Sequence, residues 1–453
     1  MVFVRKIKKK SGTYLAEVEG YRDHTGKVRQ RVIKYLGKEI NGKPEKRVLT
    51  SEIAVKNVKR SFDVLAVDTI AKELQLTTLT NKYALALVYS QVLGKHSINQ
   101  LEEWLRFTEI PDVLGINQVS TKALYESLGD IDEQELAQIN EKFYELFKKH
   151  DPSCDVAVID VTDTYFAGTH EEIKRRKGKD SKVEKLIQIG LAVSFTHGFP
   201  LFHKKYHGNL SNVHIFKDIA LELQARKLNG VIVDRGMTST DNIALAKNLN
   251  LEIIGGLKKT TTIVDRYLST IKREELYSLK HRVALKNTTV FVTSFPYEKG
   301  ELIIVYNPAL EVVKKEQRFI KDKENNDPYI GYSLIYHTTK YEAAVVVRQY
   351  YDKEIVERAF KQLKGVLNLR PIRVWLKNHI EGHINICYLA YAILAYMNYK
   401  LQRTNTSVTE ALNSLQHGYR VMLQTKKEEW SLHVPLEPKQ KDILTALGVV
   451  YKS

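Results

Sequence analysis

The sequence predicts a mixed α/β fold, preceded by a small basic β arm and a helical segment. Three observations carry that expectation. The runs VAVIDV (156–161) and GVIVD (230–234) are apolar on both faces, as strands buried within a sheet are. Between them lies NVHIFKDIALELQARKL (212–228), an amphipathic stretch of the kind that crosses over a sheet. A further helical pattern, about 341–367, follows the last strand-like run.

Taken in order, residues 1–50 hold 14 Lys or Arg against 5 acidic residues. TYLAEVE (13–19) and KVRQRVIKYLG (27–37) alternate around the turn signal DHTG (23–26), so this basic arm reads as a hairpin or meander. Residues 51–152 turn to helical spacing, as in NKYALALVYSQVLG (81–94) and DEQELAQINEKFYELFKKH (132–150). Asp151-Pro152 ends that segment, and an α/β domain is expected over 153–400. Within it LIQIGLAVSFTH (186–197) and PLFHKKYHG (200–208) form a hairpin. A helix around 239–249 leads to the strand LEIIGG (251–256). TTVFVTSF (288–295) and ELIIVYN (301–307) indicate a β-rich insertion over about 260–330, closed by the charged linker KDKENNDP (321–328). A strand GYSLIYHT (331–338), the long helix and further helices follow, and 401–453 reads as a helical tail suited to oligomerisation.

Composition narrows the function. The chain of 453 residues has 70 Lys plus Arg against 53 Asp plus Glu, a net +17 that calls for a polyanionic partner, nucleic acid or an acidic membrane surface. A membrane-surface protein needs a terminal basic amphipathic helix, whereas the basic arm reads as strands. Ile386 to Met397, the longest apolar stretch, falls short of the roughly 20 residues of a membrane span. The two cysteines, Cys154 and Cys387, form neither a disulfide framework nor a cysteine-rich zinc site, which fits a reducing, cytoplasmic compartment. No G-x4-G-K-[ST] loop occurs, which disfavours an NTPase.

Asp160 and Asp234 each follow an apolar run, at or near strand ends, where ligands of open α/β sheets gather. For either alone, a turn or cap role is the simpler reading. A third acid comes from the long helix. At about 100° per residue, with Tyr350 at 0°, Lys353, Glu357 and Lys364 fall between about 300° and 340°, while Ile355, Val356, Ala359, Phe360 and Leu363 cover the opposite side. The alternative is a solvated face with a Lys353–Glu357 ion pair contributing about 0.2–0.5 kcal/mol. Carboxylates without His or Cys suit Mg²⁺ or Mn²⁺. Asp163 is the alternative first acid. His379-x3-His383 and His203-x3-His207 read as structural histidines, and Trp375 as a core residue.

These residues resemble bacterial insertion-sequence transposases of the DDE type, in the branch with a Tyr-x2-Arg-x3-Glu-x6-Lys (YREK) signature. Tyr350-x2-Lys353-x3-Glu357-x6-Lys364 keeps that spacing with Lys in place of Arg. VIDVTDTYF (158–166), GVIVDRGMTSTDNI (230–243) and HGFPLFHKKYHGN (197–209) resemble the first-Asp segment, the second-Asp segment and the hairpin between them. YRDHTGKVRQRVIKYLG (21–37) is similar to the start of one subgroup.

The resemblance implies a ribonuclease H-like domain in which Asp160, Asp234 and Glu357 bind two metal ions for in-line attack at phosphorus. It implies that Tyr350, Lys353 and Lys364 contact phosphates near the cleaved end, although Lys cannot make the planar fork of Arg. Arg235, Arg370 and Arg373 are further candidates for the DNA backbone, with a structural ion pair the alternative for each. The implied activity is Mg²⁺-dependent cleavage at inverted terminal repeats and joining of 3′-ends to target DNA, by a homodimer or larger synapse in the bacterial cytoplasm at the nucleoid. Terminal-repeat recognition falls to residues 1–150. The competing functions are a metal-dependent nuclease without strand transfer and a catalytically silent, transposase-derived DNA-binding protein.

Overall fold

The computed structural model describes residues 2–44, 52–165, 183–208, 210–320, 327–425 and 428–451, together with the backbone of 174–177; of 183–185 the backbone alone is described. Residues 45–50 of the arm, 321–326 of the charged linker, and Phe166 and Asn209 of the family-like segments lie outside them. The chain divides into two compact units, residues 1–58 with 420–434, and 59–419 with 435–452.

The first unit opens with β1 (Val2–Lys9), β2 (Gly12–Arg22), β3 (Val28–Ile40) and β4 (Lys43–Pro44), an antiparallel meander in that order. The turn before β3 is held by Asp23, whose carboxylate accepts from the Thr25 and Lys27 N–H groups and pairs with Arg29. β5 (Ala54–Arg60) belongs to a separate three-stranded sheet completed by a hairpin from residues 419–433.

The larger unit begins with helices, among them α1 (Phe62–Glu73), α2 (Lys82–Leu93) and α3 (Glu133–His150). Asp132 caps α3 by accepting from the Glu135 N–H at 2.8 Å. Glu133 and Glu135 in its first turn and Lys148, Lys149 and His150 in its last complement the helix dipole. Asp151 ends the helix and ties it to the sheet, accepting from the Ser153 N–H and the Ser194 hydroxyl.

The sheet runs through β6 (Val156–Tyr165), β7 (Lys174–Lys177), β8 (Val183–Ser194), β9 (Pro200–His207), β10 (Gly230–Val233) and β11 (Glu252–Leu257). α4 (Asn212–Ala225) crosses from β9 to β10, and α5 (Thr240–Asn248) from β10 to β11. β8 pairs antiparallel with β6 and β9, while β10 runs parallel to both β6 and β11. Counting from β6 and leaving out the short β7, the order β9-β8-β6-β10-β11 is 3-2-1-4-5, the ribonuclease H-like arrangement.

The insertion departs from expectation in one respect: its strands extend the main sheet. β12 (Arg282–Ala284), β13 (Thr289–Tyr297) and β14 (Gly300–Tyr306) join it through β15 (Tyr332–His337), which lies antiparallel between β14 and β11. Between β14 and β15 stands α6 (Pro308–Ile320).

Two helices, α7 (Ala343–Asp352) and α8 (Glu354–Lys361), follow, and then α9 (Lys377–Leu401). The apolar run Ile386–Met397 is buried at every position, so α9 is the central helix of this unit. Among the described residues no helix is long and apolar enough to cross a membrane. After α10 (Val408–Leu415), the expected helical tail instead contains the hairpin β16 (Tyr419–Gln424) and β17 (Glu429–His433), before α11 (Pro438–Leu447). Alternation in YRVMLQ and EWSLH carries that hairpin, and Lys56 of β5 pairs with Glu429 at 2.7 Å.

Candidate active site at the β6 and β10 strands

Parallel pairing fixes where the two aspartates lie. The last registered pair is Ile159 with Val233, so one step further sets Asp234 beside Asp160 on neighbouring strands, which lie about 4.8 Å apart. Asp234 has just left β10 and is exposed, whereas Asp160 is half-buried within a strand that continues to Tyr165. Alternation puts Asp160 and Thr162 on one face of β6 and the buried Asp163 on the other, which separates the alternative acid from this site.

The helix expected over 341–367 is not continuous. It tightens at Lys353, where the Lys353 N–H reaches Tyr350 O at 3.4 Å and the Val356 N–H reaches Lys353 O at 3.2 Å. It then widens into a π turn over Gln362–Val366. No Pro or Gly signals the first break. Ile355, Val356, Ala359 and Phe360 are buried, and α8 packs on β6 and β8. Gly198, at φ +70° in the β8–β9 turn, makes room: a Cβ there would lie 3.1 Å from Ile355 Cγ1, and its carbonyl accepts from the Tyr391 hydroxyl at 2.6 Å.

The basic stripe meets the aspartate strands. Lys353 Nζ lies 3.2 Å from Asp234 Oδ1, and Lys364, inside the π turn, donates to Thr162 Oγ1. Burial raises the Asp234 carboxyl, but the Lys353 ammonium and the N–H of Arg235 outweigh it and hold the group below its usual range. Tyr350 is pushed up by burial and by the Asp234 charge. Its hydroxyl sits over Gly256, where a Cβ would lie 2.3 Å away.

Glu357 is exposed in the first turn of α8. Among the described residues no three His, Cys, Asp or Glu side chains are gathered closely enough to hold a metal ion. The expectation of one ready-made pocket for Asp160, Asp234 and Glu357 is therefore not met. Lys353 pairs with the Asp234 oxygen instead. The donors are nevertheless all carboxylate oxygens, the chemistry of a hard divalent ion.

Of the arginines, Arg235 is exposed beside Asp234, and Arg370 lies over the Tyr165 ring, 5.1 Å from its centroid. Arg373 is exposed on the loop before α9. Trp375, expected in the core, is 65% exposed because Ile372 takes the buried place in that loop, its N–H donating to Tyr165 O at 2.9 Å. Sequence reading missed Thr162 and Gly256. A polar residue two positions beyond Asp160 on the same face, and a glycine inside a strand, were the available signals.

Residues 152–393 match the transposase DDE domain family, and residues 4–43 match the N-terminal domain of IS1634 family transposases. No curated protein matches the sequence. Among solved structures the chain is similar to a piggyBac transposase synaptic complex with hairpin DNA, at 14% identity and a TM-score of 0.41, covering 74% of this chain and 68% of that one. The catalytic domain of human endonuclease V aligns at 15% identity and a TM-score of 0.23, over 52% of this chain and 100% of that one. With its DDE domain matched over more than half of 453 residues, the chain belongs to the DDE transposases.

Proposed function

We propose that Asp160, Asp234 and Glu357 are the catalytic carboxylates of this transposase, and that the chain cuts DNA at inverted terminal repeats and joins the 3′-ends to target DNA. The observation that carries this reading is the meeting of Lys353 with Asp234 and of Lys364 with Thr162, which turns the stripe of α7 and α8 onto the two aspartate strands. The three carboxylates would hold Mg²⁺ or Mn²⁺, two ions being expected. Such ions supply Lewis-acid stabilisation of the attacking and leaving oxygens in an in-line displacement. The chain's own residues position the DNA. Lys353, Lys364, Arg235, Arg370 and Arg373 offer cations to phosphates, and the Tyr350 hydroxyl offers a hydrogen bond. The basic β1–β4 meander and the helices of 51–152 would bind the terminal repeat, and two copies would pair two ends in a synapse. The YREK branch and a cytoplasmic, nucleoid-associated location belong to the same reading.

The test uses the inverted repeats flanking the coding region. A pre-cleaved repeat, a plasmid and Mg²⁺ should yield joined product with the wild-type chain. Asp234→Ala and Glu357→Gln should lower joining by on the order of 10³-fold while retaining DNA binding. Cleavage without joining favours the plain nuclease, and equal product from wild type and both variants removes the carboxylates from the chemistry.

A further inference from the structure

A pocket of about 480 Å³ opens in the larger unit between α5, the start of β11 and the turn that joins β13 to β14. Glu252 lines it, four residues before the Gly256 over which Tyr350 sits, so it lies about 13 Å along β11 from the Asp234 site. Its volume is that of a small-molecule site.

Two cations share the rim. Lys247, in the last turn of α5, and Lys299, in the β13–β14 turn, lie within hydrogen-bonding reach of one another. Neither is paired with a carboxylate among the described residues. The Lys299 amine holds the Lys247 ammonium below its usual range, since two like charges so close resist joint ionisation unless an anion lies between them. The carbonyl end of α5 accounts for Lys247 alone, but not for a second lysine beside it. That second lysine comes from a turn whose central residues are Glu298 and Lys299, with Glu298 at φ +49°, where Asn or Gly is usual.

The floor supplies a different chemistry. Tyr336 is 1% exposed, lines the pocket, and its hydroxyl makes no hydrogen bond among the described residues. That hydroxyl reaches the turn carrying Lys299, where a Cβ on Gly300 would lie 3.0 Å from it. A buried polar group without a partner is costly, and here it marks the place of a ligand's polar atom. Half-buried Tyr297 meets the Tyr336 ring edge to face at 5.9 Å, and with Ile243 and Leu251 makes an apolar bed. Glu252 and Glu298 also line the pocket, as acceptors for amino or hydroxyl groups.

We infer that this pocket binds a nucleotide, with the phosphate between Lys247 and Lys299 and the base against Tyr297 and the Tyr336 hydroxyl. Bare phosphate would leave the aromatic bed unused, and the backbone of a passing duplex would meet Glu252 and Glu298 as well as the lysines. A nucleoside phosphate uses the anionic, flat and donor features together. The chemistry is the same for a free nucleotide and for an unpaired nucleotide of a DNA strand, and the experiment separates them.

The full-length chain is titrated calorimetrically with each of the four deoxynucleoside 5′-monophosphates, and with the parent nucleosides and inorganic phosphate as partial ligands. At least one nucleotide should bind more tightly than either of its parts. Lys247→Gln with Lys299→Gln should weaken it tenfold or more. Lys122→Gln with Lys272→Gln, an equal loss of charge at exposed positions outside the pocket, should not. Tyr336→Phe should also weaken binding, with the melting temperature of the free chain unchanged or raised, because an unpaired hydroxyl is removed. A purely structural hydroxyl would do the reverse. Asp234→Ala should bind the nucleotide as wild type does, so this result stands apart from the fate of the proposed catalytic carboxylates. A single-stranded oligonucleotide that competes for the pocket identifies the occupant as part of DNA, and one that does not identifies it as a free nucleotide. Absence of binding by all four at millimolar concentration, phosphate binding as tightly as the nucleotides, or affinity untouched by both pocket variants overturns the assignment.

Discussion

Lys353 sets its ammonium 3.2 Å from Asp234 across 119 residues of sequence, where α7 passes into α8. Its ammonium is a point charge, which grips a single oxygen where a guanidinium would span two. The pair also forms where the helix is locally tightened, so the break at Lys353 and the reach toward Asp234 are one feature.

If Lys353 serves a phosphate once DNA is bound, Lys353→Ala will weaken terminal-repeat binding and flatten the plot of log affinity against log salt by about 0.9. Lys353→Arg will keep the wild-type slope. Binding titrations at several salt concentrations decide this, and an unchanged slope in the alanine variant takes Lys353 off the DNA.

Gly256 provides the space that Tyr350 occupies beside Asp234. In Gly256→Ala the new methyl falls 2.3 Å from the Tyr350 hydroxyl and 3.2 Å from Arg235 Cβ, so the phenol must leave. Strand cleavage is expected to fall about tenfold or more, with little change in melting temperature. Adding Tyr350→Phe removes the clashing oxygen, so the double variant should be less impaired than the two single losses combined.

Acid sensitivity should arise in the core. Burial holds His203 down to about 4 from 6.5, and its ring stacks on Tyr388 at 4.5 Å. The folded state therefore prefers the neutral ring. This stabilisation is complete above pH 6.5 and declines as pH falls toward 4, by up to about 3 kcal/mol. His383 is lowered by burial and adds in the same direction. Thermal melts from pH 7.5 downward should show the decline, and His203→Phe should reduce its slope.

Gly382 gives a test of sign. In most helix interiors Gly→Ala stabilises by about 0.5–1 kcal/mol. Here a Cβ would lie 1.5 Å from the Leu128 carbonyl oxygen, so α9 must retreat from the turn it packs against. Gly382→Ala should destabilise the chain by roughly 1–3 kcal/mol or more in denaturant melts. A stabilised variant would show that the two segments are not in close contact.

The sheet was legible in the sequence because VAVIDV and GVIVD are apolar on both faces, and only a central strand satisfies that. That Asp160 and Asp234 would lie on neighbouring strands was legible for the same reason, as charges beside such runs. The break at Lys353 was not, because no Pro or Gly marks it and the Asp234 that Lys353 reaches lies far back in the chain. Nor was the absence of a ready-made metal-holding cluster among the described residues: a helical wheel gives direction around an axis, not distance between elements. Trp375 was misread because residue type alone does not say that Ile372 already fills the space beneath that loop. The hairpin of 419–433 was missed where short alternating strands sit between two helices.

The place of β15 also governs how the chain is made. β11 emerges from the ribosome some 75 residues before the strand that covers its free side, and its backbone groups stay unpaired until then. Throughout that interval the nascent protein presents an apolar, sticky border to its neighbours, so chains ended before β15 should aggregate more readily than the full chain.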